Sequence, residues 1–137
     1  MFTVKQLSQI AGVTPRTLHY YDEIDLLKPS QVGQNGYRYY GDESLLRLQQ
    51  ILLYRELDMP LENIKRILGR GDFDVLAALE RHRTELRKRI EKMERLCTTV
   101  EDTIQHIKGT KTMSNQQLFE PFSEEQQAEY EQEAMQA

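Results

Sequence analysis

Cations and phenols cluster in two runs near the N-terminus, Arg16-Thr17-Leu18-His19-Tyr20-Tyr21-Asp22 and Gly36-Tyr37-Arg38-Tyr39-Tyr40. A guanidinium bonds bidentately to a guanine edge or clamps a phosphate, and a tyrosine hydroxyl donates to phosphate oxygen. Side chains of these types on two neighbouring elements imply contact with nucleic acid. The sequence offers no nucleophile–base pair, carboxylate dyad, phosphate-cradling glycine loop or metal cluster, so an enzyme is not expected. Cys97 is the one cysteine, with no His at metal-ligand spacing, so no disulfide, metal or other cofactor is expected.

The net charge of -4 looks unfavourable for a nucleic-acid binder until it is divided along the chain. All 18 Lys and Arg lie between Met1 and Lys111 against 16 Asp and Glu, a net of +2, whereas Thr112 to Ala137 holds six Glu and no cation. Salt screens charges beyond about 8 Å at physiological ionic strength, so the local field near the two runs decides, not the total. No apolar run is long enough to cross a bilayer, and Met1-Phe2-Thr3-Val4-Lys5 lacks the features of a secretory leader. The expected location is cytoplasmic, with no membrane partner.

The elements that must position the two runs are legible. Thr3-Val4-Lys5-Gln6 reads as a capping box, and Val4, Leu7 and Ile10 follow at helical spacing, giving a first helix to about Ala11. Gly12-Val13 turns, Thr14 is an N-cap and Pro15 fits the first helical position, so a second helix runs to about Ile24. This is a helix-turn-helix. Arg16, His19 and Tyr20 share one arc of the second helix, while Leu18 and Tyr21 turn the other way to pack on Leu7 and Ile10.

Gln31 to Tyr40, with strand formers either side of Gly33-Gln34-Asn35-Gly36, reads as a β-hairpin wing. Alternation sends Tyr37 and Tyr39 to one face and Arg38 and Tyr40 to the other, with Arg38 toward phosphate or minor groove and Tyr40 packed under the wing. A third helix, capped by Gly41 or Asp42, carries Leu45, Leu48, Ile51, Leu52 and Leu57, and a fourth runs from Leu61 to Gly69 or Gly71. Arg55 and the open amides at Pro60-Leu61-Glu62 together suit a flanking phosphate.

From Asp74 to Lys108 there is no Pro or Gly, and Leu76, Leu79, Leu86, Ile90, Met93, Cys97, Val100, Ile104 and Ile107 fall on alternating three- and four-residue steps, interrupted only by Arg83. A helix of that length extends about 50 Å and needs another chain to cover its seam, most simply in a homodimer. Cys97 is read as an apolar member of that seam. Arg81, Arg83, Arg87, Lys88, Arg89, Lys92 and Arg95 are interspersed with Glu and form a solvated face. Met113 to Phe122 reads as a linker, and Glu124 to Met135 as a helix-compatible but nearly all-polar, weakly ordered tail.

Val13-Thr14-Pro15-Arg16-Thr17-Leu18-His19-Tyr20-Tyr21-Asp22, Leu26-Leu27-Lys28-Pro29 and Gly36-Tyr37-Arg38-Tyr39-Tyr40, with their spacing, resemble the MerR family of bacterial transcription regulators. Leu48 to Leu57 with Met59-Pro60-Leu61-Glu62 looks like its TipA-like branch, which responds to antibiotics and other drug-like compounds. Leu118-Phe119-Glu120-Pro121-Phe122-Ser123-Glu124-Glu125 resembles the opening of that branch's drug-recognition domain, here truncated at Ala137 so that the pocket is missing.

The resemblance implies a mainly α fold: a winged helix-turn-helix DNA-binding head over 1–72, a helix over 73–109 that forms an antiparallel coiled-coil dimer, and a linker and start of an effector domain over 110–137. It implies a homodimer on a palindromic promoter whose spacer is too long, bent and untwisted so that RNA polymerase is engaged indirectly, and a drug-like effector in a full-length form. Arg16, Thr17, His19, Tyr20, Tyr37, Arg38 and Arg55 are the DNA-binding set; Leu79, Leu86, Ile90, Met93, Cys97, Val100, Ile104 and Ile107 are the dimerisation set. Many family members have Arg where this chain has His19, which implies a weaker or pH-dependent contact. The competing class is a dimeric coiled-coil adaptor whose winged-helix head binds a protein.

Overall fold

The computed structural model describes residues 1–122 and 124–136 and divides them into two compact units, 1–82 and 83–137. In the first unit a short strand β1 (Phe2–Thr3) leads into α1 (Val4–Ala11) and α2 (Pro15–Glu23). The hairpin strands β2 (Gln31–Val32) and β3 (Arg38–Tyr40) follow, then α3 (Asp42–Glu56) and α4 (Leu61–Leu68). The sheet order is β1-β3-β2, all antiparallel, with Phe2 opposite Tyr40 and Val32 opposite Arg38.

Local chemistry accounts for the tight geometry of the helix-turn-helix. The expected capping box closes α1: the Gln6 amide donates to Thr3 Oγ1 at 3.2 Å, and the Thr3 amide to Gln6 Oε1 at 2.9 Å. Gly12, at φ +73°, supplies the left-handed residue that ends α1, its N–H returning to the Ser8 carbonyl. Thr14 Oγ1 then accepts the Thr17 amide at 3.1 Å, and Pro15 opens α2 where no backbone donor is needed. The wing turn has the Gly33 and Tyr37 backbones bonded at 2.8 Å, with Gly36 at φ +80° between them.

Behind the helix-turn-helix lies the core: Leu7, Leu18, Tyr21, Leu26, Leu27, Tyr40, Leu48, Ile51, Tyr54, Ile64 and Leu68. Leu18 and Tyr21 are buried as the helical arc requires, and Tyr40 is fully buried beneath the wing. Ile10 departs from expectation, being 58% exposed. It sits in the last turn of α1 and, instead of entering the core, lines an apolar groove of about 650 Å³ with Leu45, Leu46 and Leu53 of α3. The sequence pattern also gives no sign of β1, because a two-residue strand has no measurable period and Thr3 doubles as the cap of α1.

The long helix α5 (Val75–Ile107) is continuous, as the absence of Pro and Gly requires. Its first turns belong to the head: Ala78 and His82 are buried, Leu79 is half-buried, and the His82 ring meets Tyr54 edge-on with centroids 4.3 Å apart.

In the second unit α5 stops at Ile107, and Gly109, φ +81°, turns the chain back. Met113 to Phe122, read as a linker, is held by specific contacts and contains a 3-10 turn at Gln117–Phe119, and the stretch expected to be a weakly ordered tail forms α6 (Glu124–Gln136). Met113 is buried, its amide donates to His106 Nδ1 at 3.1 Å, and Lys111 pairs with Asp102 at 2.7 Å. Tyr130 and Met135 of α6 are exposed, as its nearly all-polar sequence implies. Ser123 lies outside the described residues.

Candidate nucleic-acid interface

Leu18 and Tyr21 anchor α2 to the core, which leaves Arg16, His19 and Tyr20 exposed on the opposite side of the same helix, Tyr20 at 48%. Burying two large side chains at a three-residue step fixes the helix rotation, so the exposed arc is a consequence of the core. Thr17 is half-buried, and its hydroxyl lies 3.1 Å from the Thr14 hydroxyl, so it is engaged in the N-terminal cap. Burial pushes the Tyr21 phenol above its ordinary pKa, opposed by Arg55, and the phenol stays protonated.

The wing is tied to α2 by charge. Arg38 Nε donates to Asp22 Oδ2 at 2.7 Å, and Lys28 Nζ reaches Asp22 Oδ1 at 2.9 Å and Asp25 Oδ1 at 2.9 Å. The Asp22 side chain is only 13% exposed. Burial raises its pKa, but the hydrogen bonds from Lys28 and Arg38 outweigh that and hold the carboxyl below its ordinary range. Tyr37, at the turn, is 64% exposed. Ser30 fixes the other edge of the wing, its hydroxyl accepting from the Gly41 amide at 3.0 Å and lying within hydrogen-bond distance of Glu43 and Ser44.

Arg55 is exposed at the end of α3, with Nη1 donating to the Met59 carbonyl at 3.0 Å, beside Pro60 and the start of α4. Arg55 thus lies beside the start of α4, with one terminal nitrogen engaged by a carbonyl. Arg47 went unnoticed in the sequence: Nε donates to the Leu26 carbonyl at 3.0 Å and Nη1 to the Leu68 carbonyl at 3.3 Å, bracing α3 against two chain reversals. Asp22 and Lys28 were equally silent as functional residues. Their partners lie across loops, where no helical or strand period operates.

The dimerisation set behaves differently. Leu86, Ile90, Met93, Cys97, Val100, Ile104 and Ile107 are exposed, whereas Leu79 is half-buried within the head. Among the described residues no group of three or more His, Cys, Asp and Glu is arranged to hold a metal ion.

A helix-turn-helix with a β-hairpin wing, presenting cations and phenols from both, defines a winged DNA-binding module. The model of MerR HTH family regulatory proteins matches residues 2–70, and that of the MerR DNA-binding region matches residues 45–103. The chain belongs to the MerR family of transcriptional regulators. It is 47% identical over 131 residues to the HTH-type transcriptional regulator SkgA of Caulobacter vibrioides, covering 96% of this chain and 51% of SkgA. It is 41% identical over 122 residues to the HTH-type transcriptional activator mta of Bacillus subtilis, covering 89% and 48%. With the HTH-type transcriptional activator TipA of Streptomyces coelicolor it shares 39% identity over 132 residues, covering 96% and 52%. The chain thus spans about half the length of these curated relatives. The crystal structure of SkgA from Caulobacter crescentus superposes with a TM-score of 0.90, covering 98% of this chain and 96% of that one at 46% identity. No helix among the described residues is long and apolar enough to cross a membrane.

Proposed function

We propose that this regulator binds promoter DNA as a homodimer and activates transcription. The observation that carries the reading is the exposed face of α2, Arg16, His19 and Tyr20, set by the burial of Leu18 and Tyr21 and flanked by the wing with Tyr37 and Arg38. Residues 1–72 form the reading head, with Arg16, His19 and Tyr20 directed to base edges and phosphates. Tyr37, Arg38 and Arg55 contact the flanking backbone, and Thr17 contributes by holding the N-terminus of α2. Residues 73–109 join two heads through an antiparallel coiled coil, and the exposed apolar seam supports this because water otherwise covers it.

Activation is supported by the likeness to mta and TipA, both transcriptional activators. A dimer whose heads are held at fixed separation distorts a palindrome with an over-long spacer and so presents it to RNA polymerase. Residues 110–137 form a linker and the start of an effector-recognition domain for drug-like compounds, a reading that rests on the likeness of residues 118–125 to the TipA-like branch. Acting on DNA places the protein in the cytoplasm.

The test is salt-dependent titration of a duplex recovered by selecting the full chain against random-sequence DNA. The R16A/R38A double variant should lose affinity about 100-fold or more and lower the salt slope by about two. Unchanged affinity in a folded double variant would favour a head that binds protein instead.

A further inference from the structure

Arg38 reaches the surface from β3 with its side chain 33% exposed, and its Nε is committed to Asp22. Among the described residues neither terminal nitrogen of that guanidinium has a hydrogen-bond partner. A guanidinium held at Nε cannot rotate freely, so the edge formed by its two terminal nitrogens points in one direction. Asp22 lies in the last turn of α2, so the same carboxylate fixes the wing arginine relative to the reading helix.

A carboxylate this close to a phosphate would ordinarily repel it. Here Lys28 bonds the other carboxylate oxygen at 2.9 Å, so two cations bear on one anion, and the exposed Asp25 takes a further share of Lys28. The arrangement spends one face of the arginine on orientation and keeps the other for a ligand anion, which is how a bidentate phosphate clamp is pre-organised. Arg differs from Lys in this respect, because a single ammonium at position 38 would serve Asp22 or the phosphate but not both with the same geometry.

We propose that Asp22 is a positioning residue for DNA recognition: it holds Arg38 by Nε so that the terminal nitrogens of the guanidinium meet a phosphate beside the groove occupied by α2. This rests on the reading that the head binds DNA. Asp22 itself touches no DNA. It acts through Arg38, and its contribution disappears when Arg38 is removed.

The test compares wild type, D22N, R38A, D22N/R38A, R38K and D22N/R38K on the selected duplex across a salt series, with urea unfolding of each variant as a control for folding. D22N should bind about tenfold more weakly despite removing a negative charge, and should lower the salt slope by about one, as R38A does. D22N/R38A should bind no worse than R38A. D22N/R38K should bind more tightly than R38K, because the ammonium is released from Asp22. If D22N leaves the head unfolded, D22E carries the test and should keep the wild-type salt slope. D22N binding as tightly as wild type, an undiminished D22N effect in the R38A background, D22N/R38K no tighter than R38K, or a lost slope in D22E would each overturn the proposal. Failure to recover any duplex would instead defeat the DNA-binding reading itself.

Discussion

The head and the distal part of α5 both carry apolar residues but dispose of them in opposite ways. In the head, Leu7, Leu18, Leu26, Ile51 and Ile64 are fully buried within one chain. Along α5 beyond His82, Leu86, Ile90, Met93, Val100, Ile104 and Ile107 stand exposed, Met93 at 62% and Val100 at 58%. The head closes its own core, and the long helix presents half of one. Stability in the first region is therefore a property of the single chain, and the proposed dimer would make it depend on concentration in the second.

The sharpest way to break this contrast is to truncate equivalent side chains in the two regions. I51A should destabilise the head by about 3 kcal/mol, within the usual span for a buried aliphatic cut to Ala, at any protein concentration. Urea unfolding measured at two concentrations checks both statements. M93E should leave the head's urea midpoint nearly unchanged but convert the dimer to monomer at micromolar concentration, as read by sedimentation. A midpoint that falls as far in M93E as in I51A would mean that the two regions are one cooperative core.

A smaller effect is expected at His82, the last residue of the first unit. His82 is buried with no partner for Nε2 among the described residues, and its pKa is lowered first by burial and then by Arg81 on its own helix. Tyr54 of α3 is the titratable group packed on its ring. The folded state favours neutral His82, so the unfolded chain binds more protons as the pH falls. The stability this provides is complete above the unfolded pKa of about 6.5 and is lost as pH drops through it toward the folded value, by at most about 1.4 kcal/mol per pH unit. Unfolding free energies between pH 7.5 and 5.5 should show that loss in wild type and a shallower slope in H82F. Equal slopes in the two proteins would remove His82 from the account.

Sequence reading succeeds where a residue's role follows from its period or its cap. Thr3, Gly12, Thr14 and Pro15 bound α1 and α2 through local hydrogen bonds and backbone geometry, and the run without Pro or Gly forms the continuous α5. It fails where a role depends on a partner across a loop. Asp22 and Arg38 are 16 residues apart, and Arg47 meets the Leu26 and Leu68 carbonyls each 21 residues away. Ile10 shows the limit of period itself, since it keeps the helical step yet sits where α1 ends beside a groove, outside the core. The fold-back after Gly109 was hidden for the same reason: the Met113 amide and His106 Nδ1 are joined across a reversal that no local pattern encodes.

The central claim is that two self-contained heads are joined by the uncovered seam of α5 into one DNA-binding unit. Titration of the selected palindromic duplex against a duplex holding only one half-site, with the bound mass read by sedimentation, tests it most directly. The account predicts two chains on the palindrome and affinity at least 100-fold weaker on the half-site, with M93E abolishing the difference. One chain on the full palindrome, or equal affinity for palindrome and half-site in the wild-type protein, would contradict it.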